Sequence, residues 1–276
     1  MEGDHQHHPL RWAFGGIGVL VLVVVVGVGV LFATRDQPDE QSVDDAVDEF
    51  RDDADQQGPA SSDARPDPGV YAAEGEGSAA LGLLGLTQTD GPSIPITVVH
   101  EGAGCWSVEM ALNEAHRQVN HLCRAEDGSI AEASSDTAQQ WDLGAATQDN
   151  RTSFTCEEPA TVDDPTASPG DTWELTCTGT NTGVEGTTTS AGPTTFVGEE
   201  VLEVDGESVA TRHVRQERTI TGSQEGDQQV DHWYAVDTGM LVREERRSEV
   251  LSDTPVGSIS YTEEGWWQLT SLAPRT

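Results

Sequence analysis

The sequence predicts a mainly β domain, α+β in class, behind an N-terminal membrane-spanning helix. Three observations point there. Side chains alternate polar and apolar at period two over much of residues 69–276, turn signals separate these runs, and four cysteines fall where strand pairing sets them opposite one another. A two-sheet β-sandwich is the competing arrangement.

Trp12 to Ala33 reads WAFGGIGVLVLVVVVGVGVLFA, without a charge. About 20 apolar residues rising 1.5 Å each cover a hydrocarbon layer of about 30 Å. A helix satisfies its own backbone there, so glycine and valine are tolerated. A cleavable signal peptide has an apolar region of about 7–15 residues and a small-x-small cleavage site. Here Leu31 stands where a small residue is needed, so an uncleaved anchor is expected, with Gly29 and Ala33 as one small-xxx-small pair. Residues 1–11 then form a cytoplasmic stub, 12–33 the transmembrane helix, and the chain after it lies outside the cell membrane. All four cysteines follow the span, and an even count in an exported chain points to disulfides.

The formal net charge is −35, and all 14 basic residues are arginine. Without lysine there is no Schiff-base chemistry, P-loop, kinase lysine or Ser-x-x-Lys acyl enzyme. An acidic field repels phosphates, which argues against nucleic acid as a partner. Such a charge also suits solubility in a salty or alkaline medium. Residues 34–68 are rich in Asp, Gln, Ser and Pro, with Val43, Val47 and Phe50 as their few sizeable hydrophobes. A solvated, disordered acidic linker is expected there. Asp53-x-Asp55-x-Gln57-Gly58 opens like a calcium loop, but the twelfth position, which needs a bidentate Glu, is Ala64.

Within the domain, Ile94-x-Ile96-x-Val98, Trp106-x-Val108-x-Met110-x-Leu112 and Trp173-x-Leu175-x-Cys177 read as strands. Asp205-Gly206 joins two strands as a hairpin, a second turn falls at Gly222 to Gly226, and a third at Asp237-Thr238-Gly239. The C-terminal half is therefore an antiparallel meander with one face buried. Trp106, Trp173 and Trp233 are candidates for lining a ligand cavity, against the plainer role of core. The arginines between Arg212 and Arg247 interleave with Glu217, Glu244, Glu245 and Glu249, as cross-strand ion pairs on a solvated face would.

No nucleophile elbow, zincin motif, dinucleotide turn or Cys-x-x-Cys pair occurs, so no catalytic residue is assigned. In GCWSVEMALNEAHRQVNHLC, Cys105, His116, His121 and Cys123 have an atypical spacing for zinc, and neither a strand nor a helix makes His116, His121 and Cys123 converge. Folding instead about Asn113-Glu114-Ala115 sets Cys105 opposite Cys123, and Cys156 meets Cys177 by a similar fold about DDPTASPGD. The other two connectivities stay open by sequence. His116 and His121 are then expected at the surface, and neither metal nor cofactor is implied.

The segments PGVYAAEGEG, GCWSVEMALNEAHRQVNHLC, SFTC, PGDTWELTC, the run from VDGESVATRHV to GMLVREER, and YTEEGWWQLTSLAPR together resemble a group of actinobacterial single-pass envelope proteins. HWYAVDTGMLVREER is also similar to a hairpin of the LolA/LppX/RseB-like half-barrels, with Met240 where Leu is usual. That resemblance implies a curved antiparallel sheet that cradles lipid or senses the envelope, and it transfers no site residue. The expected function is non-enzymatic: binding an apolar or lipid-like ligand, or sensing the envelope. The alternatives are a structural or protein-interaction module of the envelope and a hydrolase with an unrecognised carboxylate site. Expected partners are the membrane, through the chain's own helix, and a lipid or envelope protein.

Overall fold

The computed structural model describes residues 37–52, 65–82, 85–144, 146–158, 160–254 and 257–276. The stub, the anchor with its Gly29/Ala33 pair, and the Asp53–Gly58 fragment lie outside them. Of the described residues, those in 37–141 and 149–276 belong to one compact unit and those in 142–148 to another. Of the second, the described part holds a tight turn, with Gly144 N donating to Asp142 Oδ1 at 2.6 Å.

The larger unit is a curled antiparallel half-barrel. Its strands are β1 (Gly69–Tyr71), β2 (Ala73–Leu81), β3 (Leu86–Asp90), β4 (Ile96–His100), β5 (Cys105–Asn113), β6 (His116–Arg124), β7 (Ile130–Asp142), β8 (Thr147–Cys156), β9 (Thr161–Asp163), β10 (Thr172–Asn181), β11 (Val184–Val204), β12 (Glu207–Gly222), β13 (Gln224–Ala235), β14 (Leu241–Thr254) and β15 (Gly257–Leu269). They form one continuous sheet, ordered β1-β4-β5-β6-β7-β8-β10-β11-β12-β13-β14-β15-β2-β3, with β9 paired to β7. One sheet, not two, replaces the sandwich alternative.

The expected turns are present. Asp205 and Gly206 both take positive φ, 52° and 76°, as a two-residue hairpin loop of matching twist requires. β12 pairs β13 with His213 opposite Trp233, and β13 pairs β14 around the Asp237–Gly239 turn. Cys105 lies opposite Cys123 in the β5–β6 hairpin, and Cys156 opposite Cys177 between β8 and β10. Both pairs are disulfides, with Cα–Cα distances of 4.0 and 3.9 Å.

The segment between β3 and β4 draws the sheet onto itself. Gly75 N donates to Pro92 O (3.0 Å) and Ile94 N to Ala73 O (2.9 Å) on the β2 side; Gly91 N donates to Leu112 O (3.0 Å) and Ala111 N to Pro95 O (3.1 Å) on the β5 side. A Cβ at Gly91, where φ is +73°, would lie 2.1 Å from the Gly75 carbonyl oxygen. Gly91→Ala is therefore expected to cost more than about 1 kcal/mol. A lowered urea midpoint would show it; an unchanged midpoint would mean that the closure does not form.

The acidic linker expected over 34–68 is corrected within its described part. Helix α1, Val43–Asp52, is capped by Ser42, whose Oγ accepts from Asp45 N at 3.0 Å. Val43, Val47 and Phe50 recur at i, i+4 and i+7, making one apolar stripe. Val47 and Phe50 are buried, and the stripe packs on Val70 and Val99. Glu49 holds Arg117 at 3.0 and 3.2 Å, and Arg51 donates to Thr276 O at 2.8 Å. Few hydrophobes suffice because a finished sheet supplies the partner surface. Upstream, the Gln37 amide donates to Thr87 O (2.9 Å) and accepts from Thr89 N (3.2 Å), covering the free edge of β3.

Candidate functional site

Side chains of one parity on each strand fill the inner face of the half-barrel. Much of it is apolar: Trp106, Ile94, Ile96, Met110, Leu122, Phe196, Tyr234, Leu241 and Trp267 belong to one core cluster, each at most 2% exposed. Farther along the same face the inward positions turn ionic. On β14, Glu244 and Arg246 follow Val242 at core parity; on β15, Glu263 shares parity with Trp267; on β3, Asp90 shares it with Leu86. Gly265 and Gly77 lie opposite each other and leave space here, since a Cβ would come 3.2 Å from Arg246 Nη2 and 2.9 Å from Asp90 Oδ2, respectively.

Arg246 is the hub. Its Nη2 donates to Asp90 Oδ2 at 2.5 Å and its Nε to Glu263 Oε1 at 2.6 Å, while Nη1 stands 3.7 Å from Glu244 Oε1. Tyr261 donates to Glu263 Oε2 at 2.9 Å, Gln118 Nε2 to Glu263 Oε1 at 2.9 Å, and Asn113 Nδ2 to Asp90 Oδ1 at 3.2 Å. His116, with no side-chain exposure, places Nδ1 3.6 Å from Asp90 Oδ1 and Nε2 4.0 Å from Glu263 Oε1. Burial pushes the Glu263 carboxyl up, but the charges of Arg246 and His116 and the hydrogen bonds from Arg246 and Tyr261 outweigh it and hold it below its ordinary value. Beside this group His232 Nε2 lies 3.2 Å from Glu244 Oε2. Arg218 donates to Gly192 O, Pro193 O and Thr194 Oγ1 at 2.8–2.9 Å, and burial pulls it down to about 10.

A second set occupies the opposite face. His213 stacks on Trp233, ring centroids 4.2 Å apart, with Nδ1 3.0 Å from Glu200 Oε1 and Nε2 2.7 Å from Asp231 Oδ1. Arg215 Nε also donates to Asp231 Oδ1, at 2.9 Å. Burial raises the Asp231 carboxyl, yet its hydrogen bonds with His213, Gln229 and Arg215 leave it below its ordinary value. A folded value below the unfolded one means stabilisation that is present above the ordinary carboxylate range and lost as pH falls through the depressed value. Asp231→Asn is expected to cost about 1.5–3 kcal/mol at neutral pH and to flatten the acid limb of the stability curve. Urea melts at a series of pH values check this; parallel curves for both proteins would contradict it.

The positions singled out from the sequence divide. The four cysteines pair as the strand register required. Trp106 is wholly buried in the core cluster, and Trp233 is buried against His213. Trp173 packs against the core, donates to Thr161 O at 2.6 Å and borders a surface cleft with Asp164 and Asp171. His121 is partly exposed, 2.9 Å from Glu101 Oε1. His116, expected at the surface, is fully buried: a register shift near Ala111 and Asn113 closes the β5–β6 turn with His116 on the inner face. The solvated arginine face is corrected likewise. Arg212, Arg218 and Arg246 have inward parity and are buried, whereas Arg215 on the other parity is 43% exposed at its side chain. Asp90, Glu263, Arg246, Tyr261 and His232 went unassigned by sequence reasoning; charge at core parity was the signal that marks several of them.

No family model and no curated protein matches the chain. Among solved structures, it is similar to the hypothetical lipoprotein YmcC of Escherichia coli, at 16% identity over 82% of this chain and 97% of that one, with a TM-score of 0.33. A DUF1329 family protein from Desulfovibrio piger aligns at 12% identity over 81% of this chain and 93% of that one, with a TM-score of 0.15. Likenesses this slight bear on neither activity nor ligand.

Proposed function

We propose that the chain is a single-pass membrane protein, N-terminus inside, whose β domain lies outside the cytoplasm and binds a component of the envelope without catalysing a reaction. The observation that carries this reading is that all four cysteines are joined in two disulfides between neighbouring strands. Such bonds persist in oxidising compartments, and the apolar run Trp12–Ala33 supplies the means of attachment. The inner face is taken up by the domain's own side chains, from Trp106 and Trp267 to the Arg246 hub. A lipid-like or protein ligand is therefore met at the rim or outer face rather than swallowed.

Protease shaving of intact cells that make the full chain with a C-terminal epitope tests the topology. Loss of the epitope without cell lysis is expected; full protection would contradict it. Native mass spectrometry of the detergent-purified chain is expected to find no lipid held through desalting.

A further inference from the structure

Counting carboxylates and guanidinium alone, the Arg246 hub does not balance. Asp90, Glu244 and Glu263 converge on one arginine, with side-chain exposures of 0, 3, 8 and 4% for the four groups in that order. Three carboxylates face one guanidinium in a dry interior, and the other titratable groups against them are the imidazoles of His116 and His232, so the excess negative charge is costly wherever these are neutral. His116 Nδ1, buried and without a hydrogen-bond partner among the described residues, points at Asp90 Oδ1 from 3.6 Å. One ligand atom from each of Asp90, His116 and Glu263 lies within 4.8 Å of the others, the spread of donors around a single ion.

We propose that Asp90, His116 and Glu263 form a binding site for one divalent transition-metal ion. One imidazole and two carboxylates are a mixed nitrogen and oxygen set, suited to zinc or manganese better than to the all-oxygen preferences of calcium and magnesium. With His116 neutral, as a ligand must be, two positive charges offset the carboxylates that Arg246 leaves unmatched. Arg246, Asn113 and Tyr261 then act as outer partners: Arg246 holds Asp90 by Oδ2, Asn113 donates to the Oδ1 that faces His116, and Tyr261 fixes Glu263 by Oε2. The ligands come from β3, β6 and β15, so an ion here ties strands that are distant in the chain. The second grouping of possible ligands, Glu132 with Cys156 and Cys177, offers nothing comparable because both sulfurs are spent in a disulfide.

The test uses the purified full chain in detergent, stripped with EDTA and dialysed against micromolar Zn²⁺ or Mn²⁺. Millimolar Mg²⁺ is included to occupy the acidic surface. Metal analysis after gel filtration is expected to find one ion per chain, and the ion to raise the melting temperature. His116→Gln and Asp90→Asn are expected to lose the bound ion while circular dichroism shows a folded sheet. Tyr261→Phe, which keeps all three ligands, is expected to weaken binding about tenfold. Folded wild-type chain that retains no ion would overturn the proposal, as would undiminished binding by a folded His116→Gln variant. Either result leaves the reading of the chain as an exported module standing, since that rests on the cysteines and the topology.

Discussion

Arg246→Met is expected to destabilise the β domain by about 3–5 kcal/mol, the loss that follows when one partner of a buried ionic group is removed. Methionine fills much of the volume but leaves Asp90, Glu244 and Glu263 facing one another, each at most 8% exposed at the side chain. The cost is thus one of stranded charge more than of lost packing. Adding Asp90→Asn to the variant should restore part of the stability, whereas on the wild-type background the same change is destabilising. Urea unfolding of the four proteins measures this coupling. Additive losses would mean that the hub is not the linked unit that the distances describe.

The two disulfides come next in size. Cys105–Cys123 and Cys156–Cys177 close loops with sequence separations of 18 and 21. In the chain-entropy model each contributes about 3 kcal/mol, acting mainly on the unfolded chain. Replacing either pair by alanine is expected to lower the urea midpoint while leaving the strand signal of the folded protein unchanged. Removing both is expected to leave the domain marginal at 37 °C. Unaltered stability in the double replacement would mean that the bonds merely decorate hairpins already rigid without them.

What the sequence revealed and what it concealed differ in range. The β5–β6 hairpin was legible because its turn, Asn113 to Ala115, and its register depend on neighbours, so Cys105 and Cys123 had to meet. The Asp205-Gly206 turn was legible for the same reason. The hub was not: Asp90, His116, Arg246 and Glu263 stand on four strands brought together by the curl of the sheet, which no local pattern encodes. A charge at core parity, as at Arg246 between Glu244 and Ser248 on β14, marks an inward position but names no partner. Helix α1 was missed for a different reason. Counting hydrophobes over 34–68 treats the segment as if it had to fold alone, whereas Val47 and Phe50 need only the surface offered by Val70 and Val99.

The proposed export requires the domain to fold in an oxidising compartment. Alkylating thiols in living cells with a membrane-permeant maleimide, then purifying the full chain and weighing it unreduced, reads out the redox state in which it folded. No adduct is expected on Cys105, Cys123, Cys156 or Cys177, with all four labelled only after denaturation and reduction. Four adducts without reduction would place the domain in a reducing compartment and contradict export.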